Sequence, residues 1–79
     1  MHQFMSIGFD NMVSVDKVVA IVSPESAPVK RLVQEAKEAG TVIDVTHGRK
    51  TRAVVFTDSQ YILLSAIQPE TLTGRLDTE

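Results

Sequence analysis

Between residues 47 and 52 the chain reads His47-Gly48-Arg49-Lys50-Thr51-Arg52, three permanent cations and a hydroxyl with no acid nearer than Asp44. An arginine can fork two parallel N–H bonds onto a phosphate, and a lysine adds a mobile point charge. Gly48 permits a tight turn that can expose backbone amides to an anion. Arg49, Lys50, Thr51 and Arg52 are therefore candidates for docking on a nucleic-acid backbone. The bland reading fits the same residues: a polar hairpin loop needs charge simply to stay in water. Lys17, in a turn before an apolar run, and Lys30-Arg31, in the first turns of an amphipathic segment, are supporting candidates. With Glu35 four residues after Arg31, the latter pair also suits a solvated helix face.

Other chemistry finds few residues to work with. Glycine occurs singly at 8, 40, 48 and 74, so no glycine-rich phosphate loop exists. Asp44 and His47 are three apart at the end of a strand-like run, which places them on opposite faces and argues against a dyad. Cysteine is absent, His2 and His47 are the only histidines, and no metal-ligand spacing occurs. No enzyme activity, metal, cofactor or small-molecule substrate is expected. Phe56 and Tyr61 fall in core-type strands, so they are poor stacking platforms for single-stranded bases. Phe9, beside Gly8 and Asp10-Asn11, looks turn-exposed, and packing at a subunit interface is an equal use for it.

The elements that must position these residues are legible. Val29, Leu32, Val33 and Ala36 lie at i, i+3, i+4 and i+7, the stripe of an amphipathic helix. Ser26 suits its N-cap, Pro28 its first turn and Gly40 its left-handed end. Runs rich in Val, Ile, Phe, Tyr and Thr predict strands over 4–9, 18–22, 41–46, 53–57 and 61–66. Asp58-Ser59-Gln60 suits a hairpin between the last two. The loop at 47–52 is expected to join strands 41–46 and 53–57 as antiparallel neighbours. Pro69 to Leu76 predicts a short C-terminal helix with Leu72 and Leu76 on one edge. The expected fold class is α+β: a small, twisted, mostly antiparallel sheet with one amphipathic helix on a face and a short C-terminal helix. A single domain over residues 1–79 is expected.

A 79-residue chain buries only roughly 60% of its unfolded surface, so its core alone is marginal. Without cysteines or a metal site, association is the remaining route to stability, and a homo-oligomer is expected. No apolar run approaches the roughly 18–20 residues that span a bilayer, and the first five residues carry no signal-peptide pattern. No membrane partner and a cytoplasmic location are the expectation. The formal net charge is −2, but residues 17–53 hold seven Lys or Arg against four Asp or Glu, while both ends are acidic. Charge is screened beyond about 8 Å at physiological salt, so the basic middle decides the partner.

Four strings carry a resemblance: Ser6-Ile7-Gly8-Phe9; Ile21-Val22-Ser23-Pro24-Glu25-Ser26-Ala27-Pro28-Val29-Lys30-Arg31; Gly48-Arg49-Lys50-Thr51-Arg52-Ala53-Val54-Val55; and Leu64-Ser65-Ala66-Ile67-Gln68-Pro69-Glu70-Thr71. In order and register, from about Ser6 to Leu76, the chain resembles the extracellular-matrix regulator RemA family. The resemblance implies a small bacterial DNA-binding regulator that activates biofilm-matrix genes. It also implies a ring-like homo-oligomer, an octamer being the expected form, with double-stranded DNA around the outside. The family's arginine pair falls on Arg49 and Lys50, Arg52 also matches, and a further basic position falls on Lys17. Pro28 lies in a segment that the resemblance connects with assembly. Lys50 and Lys17 stand where arginine is typical, which suits general phosphate binding better than base reading. His47 stands where tyrosine is usual, and Asp10 adds a negative charge near the first turn. An oligomeric scaffold that binds protein, or an RNA-binding form, is the alternative.

Overall fold

A computed structural model describes residues 3–76; the acidic Asp77 and Glu79 of the C-terminal end lie outside them. In chain order the elements are β1 (Phe4–Gly8), β2 (Asn11–Ser14), a single 3-10 turn (Val15–Lys17), β3 (Val18–Val22), α1 (Ala27–Ala39), β4 (Val42–Asp44), β5 (Ala53–Thr57), β6 (Ile62–Ser65) and α2 (Pro69–Leu76). β1 and β2 form an antiparallel hairpin, and the other strands form a sheet of order β3-β5-β6-β4. The arrangement is α+β, with both sheets mostly antiparallel.

The alternation of side chains along β5 and β6 divides the core in two. Val54, Ile62 and Leu64 face α1 and meet Ala36, Val29 and Val33. Ala53, Val55 and Leu63 face the other way, onto Met5, Ile7 and Val13 of the hairpin and Leu72 of α2. Ile7 and Leu72 are completely enclosed; each such side chain stabilises the fold by about 1.5–3 kcal/mol relative to exposure. α1 is capped as its sequence predicts. The Ser26 hydroxyl accepts from the Val29 amide at 3.3 Å, Pro28 sits in the first turn, and Gly40 closes the helix at φ 76°. Leu32, although on the predicted apolar stripe, remains exposed.

Two expectations change. First, β4 and β5 are not neighbours: β4 pairs in parallel with β6, and β6 separates it from β5. The 47–52 segment is therefore a crossover past β6 rather than a hairpin loop. The physical reason lies in the strands. β6 is buried along its whole length and belongs between partners. β4 has only three residues, with Ile43 and Asp44 exposed, and suits an edge. Second, Asn11–Ser14 is a strand, which its polar residues and the adjacent turn signal concealed. The strands expected over 41–46, 61–66 and 4–9 are each shorter, and the last leaves Phe9 in the β1–β2 turn.

Candidate nucleic-acid interface

The chain leaves β4 through a turn made by its own side chains. Asp44 Oδ1 accepts from the Thr46 amide at 2.9 Å and from the Thr46 hydroxyl at 2.6 Å. This is an Asx turn, in which the carboxylate replaces a backbone acceptor. The two Thr46 bonds, the hydroxyl's first, hold the Asp44 carboxyl below its ordinary value, helped by the Lys37 charge and opposed by partial burial. Asp44 is thus committed to Thr46 and is not oriented as a partner for His47.

A second turn follows at once. The Arg49 amide donates to the Thr46 carbonyl at 3.1 Å, and the central residues His47 and Gly48 have φ 60° and 82°. Two left-handed central residues are the pattern of a type I′ turn. At the far end of the loop the Arg52 amide donates to the Ser65 carbonyl at 2.8 Å, fixing the entrance to β5. Between these anchors Arg49, Lys50 and Arg52, all exposed, line a shallow depression of about 370 Å³ with Ala66. Among the described residues no carboxylate lines it. Three such cations can donate to two or more phosphate oxygens at once.

The β1–β2 hairpin supports this loop from one side. The buried Ser65 hydroxyl donates to the Ile7 carbonyl at 2.8 Å and accepts from the Ile67 amide at 3.1 Å. Arg75 from α2 donates to the Ser6 carbonyl at 2.7 Å. The hairpin turn, Phe9-Asp10, is itself left-handed at φ 54° and 66°, and the Asn11 side-chain amide donates to the Gly8 and Phe9 carbonyls. The Phe9 ring lies 4.7 Å, centroid to centroid, from the His47 ring. The Arg49 guanidinium carbon sits over Phe9 at 5.6 Å.

The other candidates do not line this depression. Thr51 lines a separate recess under α1, with Lys30, Lys37 and apolar Val33, Val54 and Leu64. Lys17 stands beside the β5–β6 hairpin, 3.6 Å from Asp58 in an exposed ion pair; its carbonyl accepts from the Asp58 amide. Val18 pairs with Thr57 at the far end of β5 and Lys17 lies beside Asp58, so Lys17 is a little more than a strand length, roughly 20 Å, from Arg52. Pro28 is on the exposed first turn of α1. Reasoning from the sequence missed the Phe9–His47–Arg49 contact; the signal available was an aromatic residue followed by Asp-Asn in a turn. It also missed Ser65, whose role depends on a partner 58 residues away.

Among the described residues no three His, Cys, Asp or Glu side chains gather as a metal site. Nor is any helix of the described residues long and apolar enough to cross a membrane. The family described as extracellular matrix regulatory protein A-like matches residues 4–76. A protein of Acetivibrio thermocellus is 58% identical over 77 residues, covering 98% of this chain and 83% of that one. A relative from Alkaliphilus oremlandii gives the same figures, and one from Clostridium botulinum is 57% identical with 86% of its length covered. All three carry only a general name as regulatory proteins. A match over nearly all the described residues, including both turns and the basic loop, makes this chain a member of the RemA-like family of extracellular matrix regulatory proteins.

Proposed function

We propose that the chain is a DNA-binding transcriptional regulator that works as a ring-like homo-oligomer, gripping the DNA backbone through repeated copies of the Arg49–Arg52 loop. Genes of the extracellular matrix are the targets this reading favours, from the family's description. The observation that carries it is the grouping of Arg49, Lys50 and Arg52 around one depression that no carboxylate of the described residues lines. Each phosphate contact is modest and salt-sensitive. Repetition around an assembly turns later contacts into intramolecular ones at high effective concentration. Specificity would come mainly from DNA shape and bendability, because backbone contacts position without reading bases.

Lys17, at the other end of β5, adds a further cation that one segment of DNA can reach together with the loop, because phosphates recur about every 3.4 Å of axis along each strand. An apolar groove with exposed Met12, Ile43 and Tyr61 at its margins offers a surface for self-association. The same groove favours the second reading, an adaptor that meets a different protein. Both readings are non-enzymatic.

The test is duplex-DNA binding by the wild type and by Arg49→Ala/Lys50→Ala, with particle size measured for both. The double variant is expected to keep its assembly and lose DNA, and wild-type affinity should fall steeply between low and moderate salt. Wild type without salt-sensitive DNA binding would hand the case to the adaptor reading. Stronger binding to duplex RNA in direct competition would change the nucleic acid but not the loop.

A further inference from the structure

Resting on the reading that Arg49 meets phosphate, we propose that Phe9 is a positioning residue that holds the Arg49 guanidinium ready for it. Among the described residues, only Phe9, Asp10 and His47 adopt positive φ without being glycine. All three lie in the two turns that meet at Arg49. A left-handed backbone is unfavourable for a bulky side chain, and the first central position of a type I′ turn ordinarily takes Asn, Asp or Gly. Phe9 is also 45% exposed and belongs to neither core cluster, so burial does not account for an aromatic residue there. What the ring does contact is His47 at 4.7 Å and the Arg49 guanidinium at 5.6 Å. Strain of this kind persists where surrounding structure over-determines it, and it concentrates at working sites.

The chemistry of the contact suits an anion site. A carboxylate would hold the arginine by consuming its N–H donors. The face of a phenyl ring attracts the cation through its quadrupole and leaves the in-plane N–H groups free to fork onto phosphate oxygens. The restricted guanidinium then loses less freedom on binding, which is preorganisation. His47 packs against the same ring. Asn11 locks the turn that presents Phe9 through its bonds to the Gly8 and Phe9 carbonyls, and Ser65 ties the hairpin to the sheet beside the loop.

The experiment compares wild type with Phe9→Leu, Phe9→Tyr and Phe9→Asn, reading duplex-DNA affinity, particle size and thermal midpoint. Phe9→Leu keeps an apolar side chain without the ring and should weaken binding about two- to five-fold per loop contact, the size of an exposed cation–π interaction. Phe9→Tyr should restore it. Phe9→Asn, better suited to the turn, should weaken binding without lowering the thermal midpoint, a combination that a purely structural role does not give. In an Arg49→Ala background Phe9→Leu should have no additional effect, since the two act as a unit. Without DNA, the Arg49 Hδ protons should carry an upfield ring-current shift that Phe9→Leu removes. Wild-type binding that survives Phe9→Leu, an equal loss in the Arg49→Ala background, or a changed particle size would overturn this inference alone. Wild type that binds no DNA would overturn the regulator reading and this inference with it.

Discussion

Asp44 shows how a single side chain sets the approach to the loop. Its carboxylate takes both donors of Thr46, ends β4 and fixes the carbonyl that the Arg49 amide then uses. The folded state thus holds this carboxyl below its ordinary value, chiefly through the Thr46 hydroxyl. The sign follows from linkage. A depressed folded pKa gives stability that is present above the unfolded value of roughly 4 and is lost as pH falls through the folded pKa. Thr46→Val removes the hydroxyl donor while keeping the shape and the backbone donor. The Asp44 carboxyl should then titrate at higher pH, and the acid-side loss of stability should shift upward. Titration of the Asp44 carboxyl carbon by NMR measures this directly. An unchanged midpoint would mean that the backbone amide and Lys37 suffice.

The hairpin is the element that braces the basic loop. It is joined to the main sheet by apolar packing of Met5, Ile7 and Val13 and by the Ser65–Ile7 bond, and to α2 by the Arg75–Ser6 bond. Of the two bonds, only the Ser65 one is buried. Ser65→Ala would strand the Ile7 carbonyl and remove the acceptor of the Ile67 amide, at a cost of about 1–3 kcal/mol. Chemical denaturation should register that loss. Amide exchange in residues 4–14 should accelerate more than in α1, because α1 packs on the opposite face. Equal acceleration everywhere would show that hairpin and sheet open only as one unit. The element scale is also where the sequence was most legible. α1, β3, β5 and α2 have the bounds or the caps that periodicity and capping residues indicate, since those signals act within a few residues. β2 was hidden because Asn11 and Ser14 are poor strand formers whose pairing depends on β1 and the left-handed turn between them.

At the scale of the whole molecule, what stands out is how much apolar surface a chain of this size leaves open. Phe4, Met12, Val19, Leu32, Ile43 and Tyr61 are all exposed in the isolated chain, and Val19 is the extra residue of a bulge in β3 at the sheet edge. A fold that is 35 × 23 × 21 Å across has little interior to spare, so covering such surface is an economical source of stability. If the groove edged by Ile43 and Tyr61 is the contact between copies, Ile43→Glu/Tyr61→Glu should reduce the particle to a smaller species. DNA affinity should fall by more than tenfold although every loop cation is retained, because avidity is lost. Light scattering and DNA titration on one preparation test it. A monomer that binds as tightly as the assembly would remove the need for multivalency.

The sequence by itself determined α1, β3, β5 and α2, the basic loop, the absence of thiol chemistry and the family. Those are encoded in residue types and short spacings, where propensity, capping and charge act without regard to the rest of the chain. The tertiary structure alone decided that β6 enters between β4 and β5, that Lys17 and Thr51 stand apart from the three loop cations, and that Phe9 reaches Arg49. Each depends on residues far apart in the chain: β6 takes the centre because it buries both faces, and the Phe9 contact forms because Ser65 ties the hairpin beside the loop. Contacts of that kind are settled by competition among whole surfaces for burial, which no short stretch of sequence records.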